Sequence, residues 1–373
     1  MRVEALEYLA CPRCGAGLSV DDPVRAEREI VAGRLACSGD CGAYPIEDGV
    51  PRLLPELAGA SLDATDGQAE TGRAFGAQWK QFKYGGTTWG VTLEERLPVV
   101  LHELDWTRRQ LAGKVILDAG CGNGTLSEGL ASRGATVVAL DLSDSVVRAH
   151  AHCRAPGLHF VQGNLFYPPL KPGAFDAIYS CGVFHHTPDT RRGFRAVAPA
   201  LKKAADSRFF VWLYADRSAL FNATVEQAMK LTRRMPEWLL VPLCHALAPV
   251  VETSSRLLTR LGVAAQAPRT LRDRAIQLQD LLSPRYVWYH EFDEARRWAI
   301  DLGFEQIAET AYEPRGDQPG ELRALLNKYR TVCRPGFGML CRGRRRLGGQ
   351  CGEETDQRNA VGAGPPAMVA ERR

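Results

Sequence analysis

The sequence has no apolar run long enough to cross a bilayer. The longest, Trp238 to Val251, is interrupted by Pro242, His245 and Pro249, and it falls short of the roughly 20 residues a spanning helix needs. The N-terminal stretch Met1-Arg2-Val3-Glu4-Ala5-Leu6-Glu7 carries acids and no apolar centre, so nothing in it reads as a secretory signal. A disulfide framework is missing as well: the 11 cysteines are an odd number, and their spacing suggests no set of bridges. These absences lead to the expectation of a cytoplasmic protein with reduced thiols and no transmembrane segment. Charge of one sign is scarce. Lys and Arg total 47 against 43 Asp and Glu, and part of the small excess sits in one cluster, Arg342-Gly343-Arg344-Arg345-Arg346. With no long basic stripe to follow a phosphate backbone, the charge pattern by itself gives no case for nucleic acid. No internal repeat is evident, and the composition excludes collagen, coiled coil or disorder as a description of the whole chain.

What is present falls into blocks. Residues 1–57 form a compact unit with its own cysteine pattern, closing at Gly49-Val50-Pro51-Arg52-Leu53-Leu54-Pro55. Residues 58–93 begin as a small, polar linker and continue into a stretch holding Phe75, Trp79, Phe82, Tyr84 and Trp89. From about residue 94 short apolar runs alternate with helical stretches. Val115-Ile116-Leu117, Thr136 to Leu140, Phe175 to Ser180 and Phe209 to Tyr214 read as buried strands, and Thr190 to Lys203 as a helix between two of them. That alternation predicts an α/β fold with a doubly wound parallel sheet. Residues 217–285 break the rhythm with a Leu-, Met- and Ala-rich helical insertion. The α/β pattern resumes to about 346, and 347–373 reads as a disordered tail.

The sharpest local signal is Val115-Ile116-Leu117-Asp118-Ala119-Gly120-Cys121-Gly122-Asn123-Gly124, a strand running into glycines with a helix starting near Thr125. Glycines allow a tight turn and close approach of backbone to a ligand, and a helix start offers free N–H groups. A carboxylate or phosphate could sit there. A dinucleotide loop would need Gly-x-Gly-x-x-Gly, and position 125 is Thr. Asp141 ends the next strand, where a carboxylate can accept hydrogen bonds from both hydroxyls of a ribose.

The whole run resembles the first two motifs of class I S-adenosylmethionine methyltransferases. Gly163-Asn164-Leu165 is similar to their adenine-bordering segment, with Asn164 where the family usually has Asp. Phe175-Asp176-Ala177-Ile178-Tyr179-Ser180-Cys181-Gly182-Val183-Phe184-His185-His186 resembles their fourth strand. Ubiquinone-type and many natural-product enzymes share those paired histidines. The resemblance covers 94–216 closely and 286–343 more loosely. It implies a Rossmann-like fold and cofactor contacts from Asp118, Gly120, Cys121, Gly122, Gly124, Asp141, Leu142, Asn164, Leu165 and Ser180. It also implies that the aromatic stretch with Phe75 and Trp79 closes over S-adenosylmethionine, although core packing explains those rings equally well.

Cys11-Pro-Arg-Cys14 and Cys37-Ser-Gly-Asp-Cys41 are two knuckles about twenty residues apart. Four thiolates suit tetrahedral, structural Zn2+ with no open position. With Tyr44-Pro45-Ile46-Glu47-Asp48-Gly49-Val50-Pro51 they resemble the small zinc-ribbon activator of RNA and protein methyltransferases, here fused to the chain. So small a unit buries little core, so the metal is expected to supply much of its stability. The cysteines Cys121, Cys153, Cys181, Cys244 and Cys333 read as core residues.

Methyl transfer to a hydroxyl needs alignment and a base, most simply a histidine. His186 and His185 follow the fourth strand at the expected cleft, and His290 precedes a late helix; each could instead shape the fold. The 217–285 insertion reads as a helical lid. Its stretch Trp238-Leu239-Leu240-Val241-Pro242-Leu243 suits either a greasy acceptor or a helix pair burying its own core. The residues point first to a methyltransferase acting at oxygen on a small molecule or on a lipid or glycan intermediate. The second candidate is an RNA base methyltransferase that grips RNA through the ribbon, against which stands the lack of an Asn-Pro-Pro-Tyr-like motif after the fourth strand. A scaffold that binds cofactor without turnover gives no reason for so full a cofactor signature. Nothing in the sequence indicates the oligomeric state.

Overall fold

The computed structural model describes residues 1–59, 68–82, 84, 86–88, 90–216, 219–232, 235–261, 270–332 and 336–344. The expected disordered tail, most of the expected polar linker, Trp89 and Cys333 lie outside the described residues.

The cysteine unit is a four-stranded antiparallel meander: β1 (Leu18–Ala26), β2 (Glu29–Cys37), β3 (Ala43–Glu47) and β4 (Val50–Leu53). Asp48 and Gly49 join β3 to β4 with φ of 50° and 78°. Two consecutive left-handed residues make the turn whose twist matches that of paired strands, and Asp-Gly supplies it at little cost. β4 then pairs in parallel with a strand of the larger unit, placing Arg52 opposite Gln162 and Leu53 opposite Gly163.

That larger unit starts with α1 (Gln68–Trp79), α2 (Leu93–Leu104) and the short α3 (Arg108–Leu111). α2 opens on a reciprocal cap between Thr92 and Glu95, which satisfies two donors that the helix start leaves free. The alternating section follows: β5 (Val115–Ala119), α4 (Thr125–Ala131), β6 (Thr136–Asp141), α5 (Ser145–His152), β7 (Leu158–Gly163), β8 (Ala177–Cys181), α6 (Thr190–Val197) and β9 (Arg208–Tyr214). The insertion is three helices, α7 (Ala219–Thr232), α8 (Glu237–Arg260) and α9 (Leu271–Leu282). The chain closes with α10 (Phe292–Asp301), β10 (Phe304–Thr310), α11 (Gly320–Val332) and β11 (Gly336–Arg344).

All eleven strands form one sheet in the order β1-β2-β3-β4-β7-β6-β5-β8-β9-β11-β10. From β4 to β9 neighbours run parallel, and β11 and β10 are antiparallel additions. β5 lies between β6 and β8: the chain winds outward from β5 through β6 to β7, then crosses back from β7 to β8 on the other side of β5 and continues to β9. This is the doubly wound, Rossmann-like arrangement the alternation predicted. It opens a crevice beyond the carboxyl ends of β5 and β8, where ligands bind in such sheets.

One apolar core runs continuously beneath both units. Leu9, Leu35, Tyr44 and Leu53 of the cysteine unit pack in the same cluster as Leu117, Val138, Phe175 and Phe209 of the central sheet. The insertion has a separate cluster, with Val225, Met229, Leu240, Cys244 and Ala275 at its centre. Among the described residues no helix is long and apolar enough to cross a membrane.

Candidate functional site

At the crevice lies a cavity of about 350 Å³. Its floor is the loop after β5. Gly120 and Gly122 have φ of 90° and 55°, a region other residues enter only with strain. A Cβ at Gly120 would run into the Val183 side chain and one at Gly122 into the Trp79 ring. The loop therefore needs glycine for both conformation and room.

Two carboxylates flank it. Asp118 is buried and accepts from Ser127 Oγ at 2.6 Å, and burial raises its pKa to about 6. Asp141 accepts from Gly122 N at 2.9 Å through Oδ2, and from Ser143 N and Oγ at 2.9 and 2.7 Å through Oδ1. Burial raises its pKa, with these hydrogen bonds opposing the rise. Asn164 Oδ1 accepts from Phe166 N at 2.9 Å, and its amide donates to Gln68 Oε1 of α1. The amide oxygen expected to face an adenine thus already takes one hydrogen bond from its own loop.

The expected cofactor residues Asp118, Gly120, Cys121, Asp141, Leu142, Asn164 and Leu165 all line the cavity. Gly122 and Gly124 shape the loop without lining it. Ser180 is a correction of position: fully buried, its hydroxyl donates to Ala119 O at 2.9 Å and holds the two central strands together. Cys181, expected in the core, is only half-buried and lines the cavity, as does the buried Cys121, whereas Cys153 and Cys244 are buried as expected.

The three histidines separate. His186 lines the cavity, with its Nδ1 3.1 Å from Tyr286 O. A carbonyl can only accept, so Nδ1 carries the proton and Nε2 keeps a lone pair. Burial lowers its pKa while Asp280 pulls the other way. His185 is not at the cavity. It is fully buried beneath it, stacked 4.0 Å from Tyr214, with neither ring nitrogen hydrogen-bonded, and burial drives its pKa far down. His290 also turns inward, held by Glu294 at 3.0 Å and Thr190 Oγ1 at 2.9 Å. A ring spent on both sides cannot act as a free base.

Several lining groups carried no sequence signal. Arg96 of α2 bridges to Glu103 at 3.2 Å and donates to Tyr179 OH, and Tyr179 and Tyr312 each donate to Glu103 at 2.7 Å. Asp280 of α9 accepts from Tyr214 OH at 2.8 Å and from Gln78 Nε2 of α1 at 3.3 Å, so the insertion forms one wall. Phe75 rests against His186 at 5.1 Å between ring centres. Among the described residues, and apart from the histidine, the lining carries one cation, Arg96, against three carboxylates, Asp118, Asp141 and Asp280. Four lining atoms are buried without a hydrogen-bond partner: Thr71 Oγ1, Gln78 Oε1, Asn123 Nδ2 and Trp212 Nε1. Buried polar groups rarely stay unpaired, so each calls for a ligand atom or an ordered water.

Residues 117–206 match the family model described as a methyltransferase domain. The matched stretch runs from β5 to the residues just before β9, through the glycine loop that floors the cavity. The chain is 34% identical over 135 residues to a ubiquinone biosynthesis O-methyltransferase of Xanthomonas euvesicatoria, covering 35% of this chain and 56% of the relative. It is 36% identical over 114 residues to the enzyme of that name from Thiobacillus denitrificans, covering 30% and 49%. It thus spans about half the length of the curated relatives it matches. A magnesium protoporphyrin IX methyltransferase of Synechocystis with bound SAH aligns with 74% of this chain and 97% of that one, at 14% identity and a TM-score of 0.42.

Outside the α/β unit, the Sγ atoms of Cys11, Cys14, Cys37 and Cys41 all lie within 4.8 Å of one another. Tetrahedral zinc with bonds of about 2.3 Å puts its sulfurs roughly 3.8 Å apart, and Cys14 and Cys37 stand at 3.5 Å. Gly39 N donates to Cys37 Sγ at 3.3 Å, the kind of contact that stabilises a thiolate. A Cβ at Gly39 would come to 3.1 Å from Cys14 Sγ. The donor set fits zinc.

Proposed function

We propose that the protein is an S-adenosylmethionine-dependent methyltransferase that acts at oxygen on an uncharged small molecule or on a lipid or glycan intermediate. The observation that carries this reading is the union, in one cavity, of the glycine loop and Asp141 with an imidazole whose Nε2 keeps its lone pair. S-adenosylmethionine, when bound, supplies an electrophilic methyl group on a sulfonium. Asp141 would hold the ribose hydroxyls, and Leu142, Asn164 and Leu165 would border the adenine. The cationic donor is matched by a lining with an excess of carboxylates. Phe75 and Trp79 cover the site and exclude water. The acceptor oxygen would bond to the methyl carbon as the carbon–sulfur bond breaks and S-adenosylhomocysteine leaves, and the hydroxyl proton would pass to His186 Nε2, with Tyr286 O holding Nδ1–H in place and Asp280 favouring the imidazolium. Cys11, Cys14, Cys37 and Cys41 hold a structural zinc.

The same lining argues against RNA: a polyanion entering here meets three carboxylates and one arginine. The test is to incubate the purified chain with methyl-labelled S-adenosylmethionine and fractionated extract of its source cells. Alkali-stable label in small organic-soluble molecules is the expected result. Label confined to RNA, or no transfer to any fraction, would overturn the proposal.

A further inference from the structure

The insertion leaves one helix face uncovered. α8 buries Leu240, Cys244, Ala248, Glu252 and Ser255, residues that recur every three or four positions, against its neighbours. The opposite side is apolar too. Trp238 is 76% exposed, Val250 63%, Leu257 56% and Leu261 66%, with Pro242, Ala246 and Pro249 exposed between them. A helix apolar on both sides is normally sunk in a core or in lipid, and exposed apolar surface of this extent marks a contact site. At 1.5 Å per residue its 24 residues run about 36 Å, yet it does not meet the requirement for a spanning helix.

Charge selects the occupant. The exposed charged residues of α8 are Glu237 at its start and Arg256 and Arg260 in its last turns. Glu252 presents no negative charge outward, being buried between Arg256 and Arg274 at 2.7 Å each. On the flanking helices Lys230 and Glu226 of α7 offset one another as an ion pair, Arg272 of α9 is turned to Gln81 O beside α1, and Asp273 is buried, so Arg260 is left as the cation at the C-terminal end of the apolar face. An aromatic at one end, leucines and valine along the middle and arginines at the other end are the features of a helix lying in a headgroup layer.

We propose that the outer face of α8 docks the protein on an anionic lipid bilayer, with the helix lying in the plane of the surface. α9 packs directly on α8 and puts Gln277 and Asp280 into the cavity wall, so the bilayer would lie one helix away from the site. The surface contact stands without the methyl-transfer reading. Delivery of a membrane-borne acceptor to His186 rests on it.

The full-length chain is floated with vesicles of phosphatidylcholine alone or mixed with phosphatidylglycerol, and S-adenosylhomocysteine binding is measured in parallel. The expected result is flotation with the mixed vesicles that weakens with salt and is poor on phosphatidylcholine alone. Val250→Ser with Leu257→Ser should cut the bound fraction at least about tenfold, since each side chain loses its burial in lipid, with nucleoside binding unchanged. Arg260→Glu should weaken only the anionic arm. Failure of the wild type to float with either vesicle would overturn the proposal, as would a serine variant that floats like the wild type. A dimer in sedimentation velocity that the serine variant splits, with bare vesicles, would make the face a contact between copies and equally overturn it. Loss of nucleoside binding with flotation intact would sink the proposed reaction and leave the docking standing.

Discussion

Asp141 and His186 carry opposite ends of the proposed chemistry, and each can be tested singly. Asp141 already takes three hydrogen bonds from Gly122 and Ser143, so Asp141→Ala removes both a ribose acceptor and a brace of the glycine loop. Hydrogen bonds to a charged group contribute about 1.5–3 kcal/mol each. Calorimetry should therefore show S-adenosylhomocysteine binding at least about tenfold weaker; unchanged affinity would mean the ribose lies elsewhere. For His186 the direction of the pKa shift sets the pH profile. Burial depresses it, so the neutral base persists below the ordinary histidine value of about 6.5. The acid limb of kcat/KM should fall at a pH lower than that value and vanish in His186→Gln, whose kcat should drop by about 10²–10⁴ with nucleoside binding kept. His185 answers to stability instead. Its pKa is strongly depressed and its nitrogens are unpartnered, so the unfolded chain takes up a proton that the fold refuses. The stability it contributes is fully present above about pH 6.5 and is lost as the pH falls below it. Melting temperatures of the wild type should decline from pH 7 to 5 more steeply than those of His185→Phe.

At the scale of elements, α1 is held over the cavity by α9. Gln78 reaches Ile276 O and Asp280, and Gln81 donates to Gln279. Replacing Gln78 by Leu removes the first pair of links while keeping bulk. Amide exchange across residues 68–82 should then quicken about tenfold, the equivalent of one hydrogen bond of about 1.4 kcal/mol. Unaltered exchange would show that ring packing by Phe75 and Trp79 suffices. The insertion, expected to be a lid, supplies the wall from which Asp280 reaches Tyr214 and Gln78. It also has the core that the blander alternative foresaw, in Val225, Met229 and Leu240. Which side of the stretch from Trp238 would be buried could not be read, because α8 is apolar on two faces and the sequence shows no preference between them.

For the whole molecule, the decisive feature is the join of β4 to β7. The cysteine unit shares both sheet and core with the α/β unit, so removing the proposed zinc should disturb the cavity end of β7 as well. Stripping zinc with a strong chelator is expected to lower the melting temperature in a single transition. A loss of at least about 2 kcal/mol corresponds to roughly 2–3 °C for a single transition of a chain this long. Two separated transitions, or no change at all, would mean that the ribbon folds independently of zinc or of the sheet.

The residues that could be read without a structure are those whose chemistry is local. Three glycines, Asp118 and Asp141 are tied by the geometry of a strand, a turn and a helix start, and four cysteines in two knuckles announce a common centre. Gln68, Gln78, Arg96, Asp280 and Trp212 arrive at the cavity from distant segments, through packing that no spacing encodes. The choice of His186 over its neighbour His185 and over His290 also belonged to the tertiary structure. Adjacent side chains leave a tight turn in different directions, and only the surrounding elements decide which ring meets the cavity and which is walled in. The sequence determined the kind of site by itself, because motif chemistry is set over a few bonds. Which side chains complete that site, and which helix face stays bare, depend on contacts that form only when the chain closes on itself.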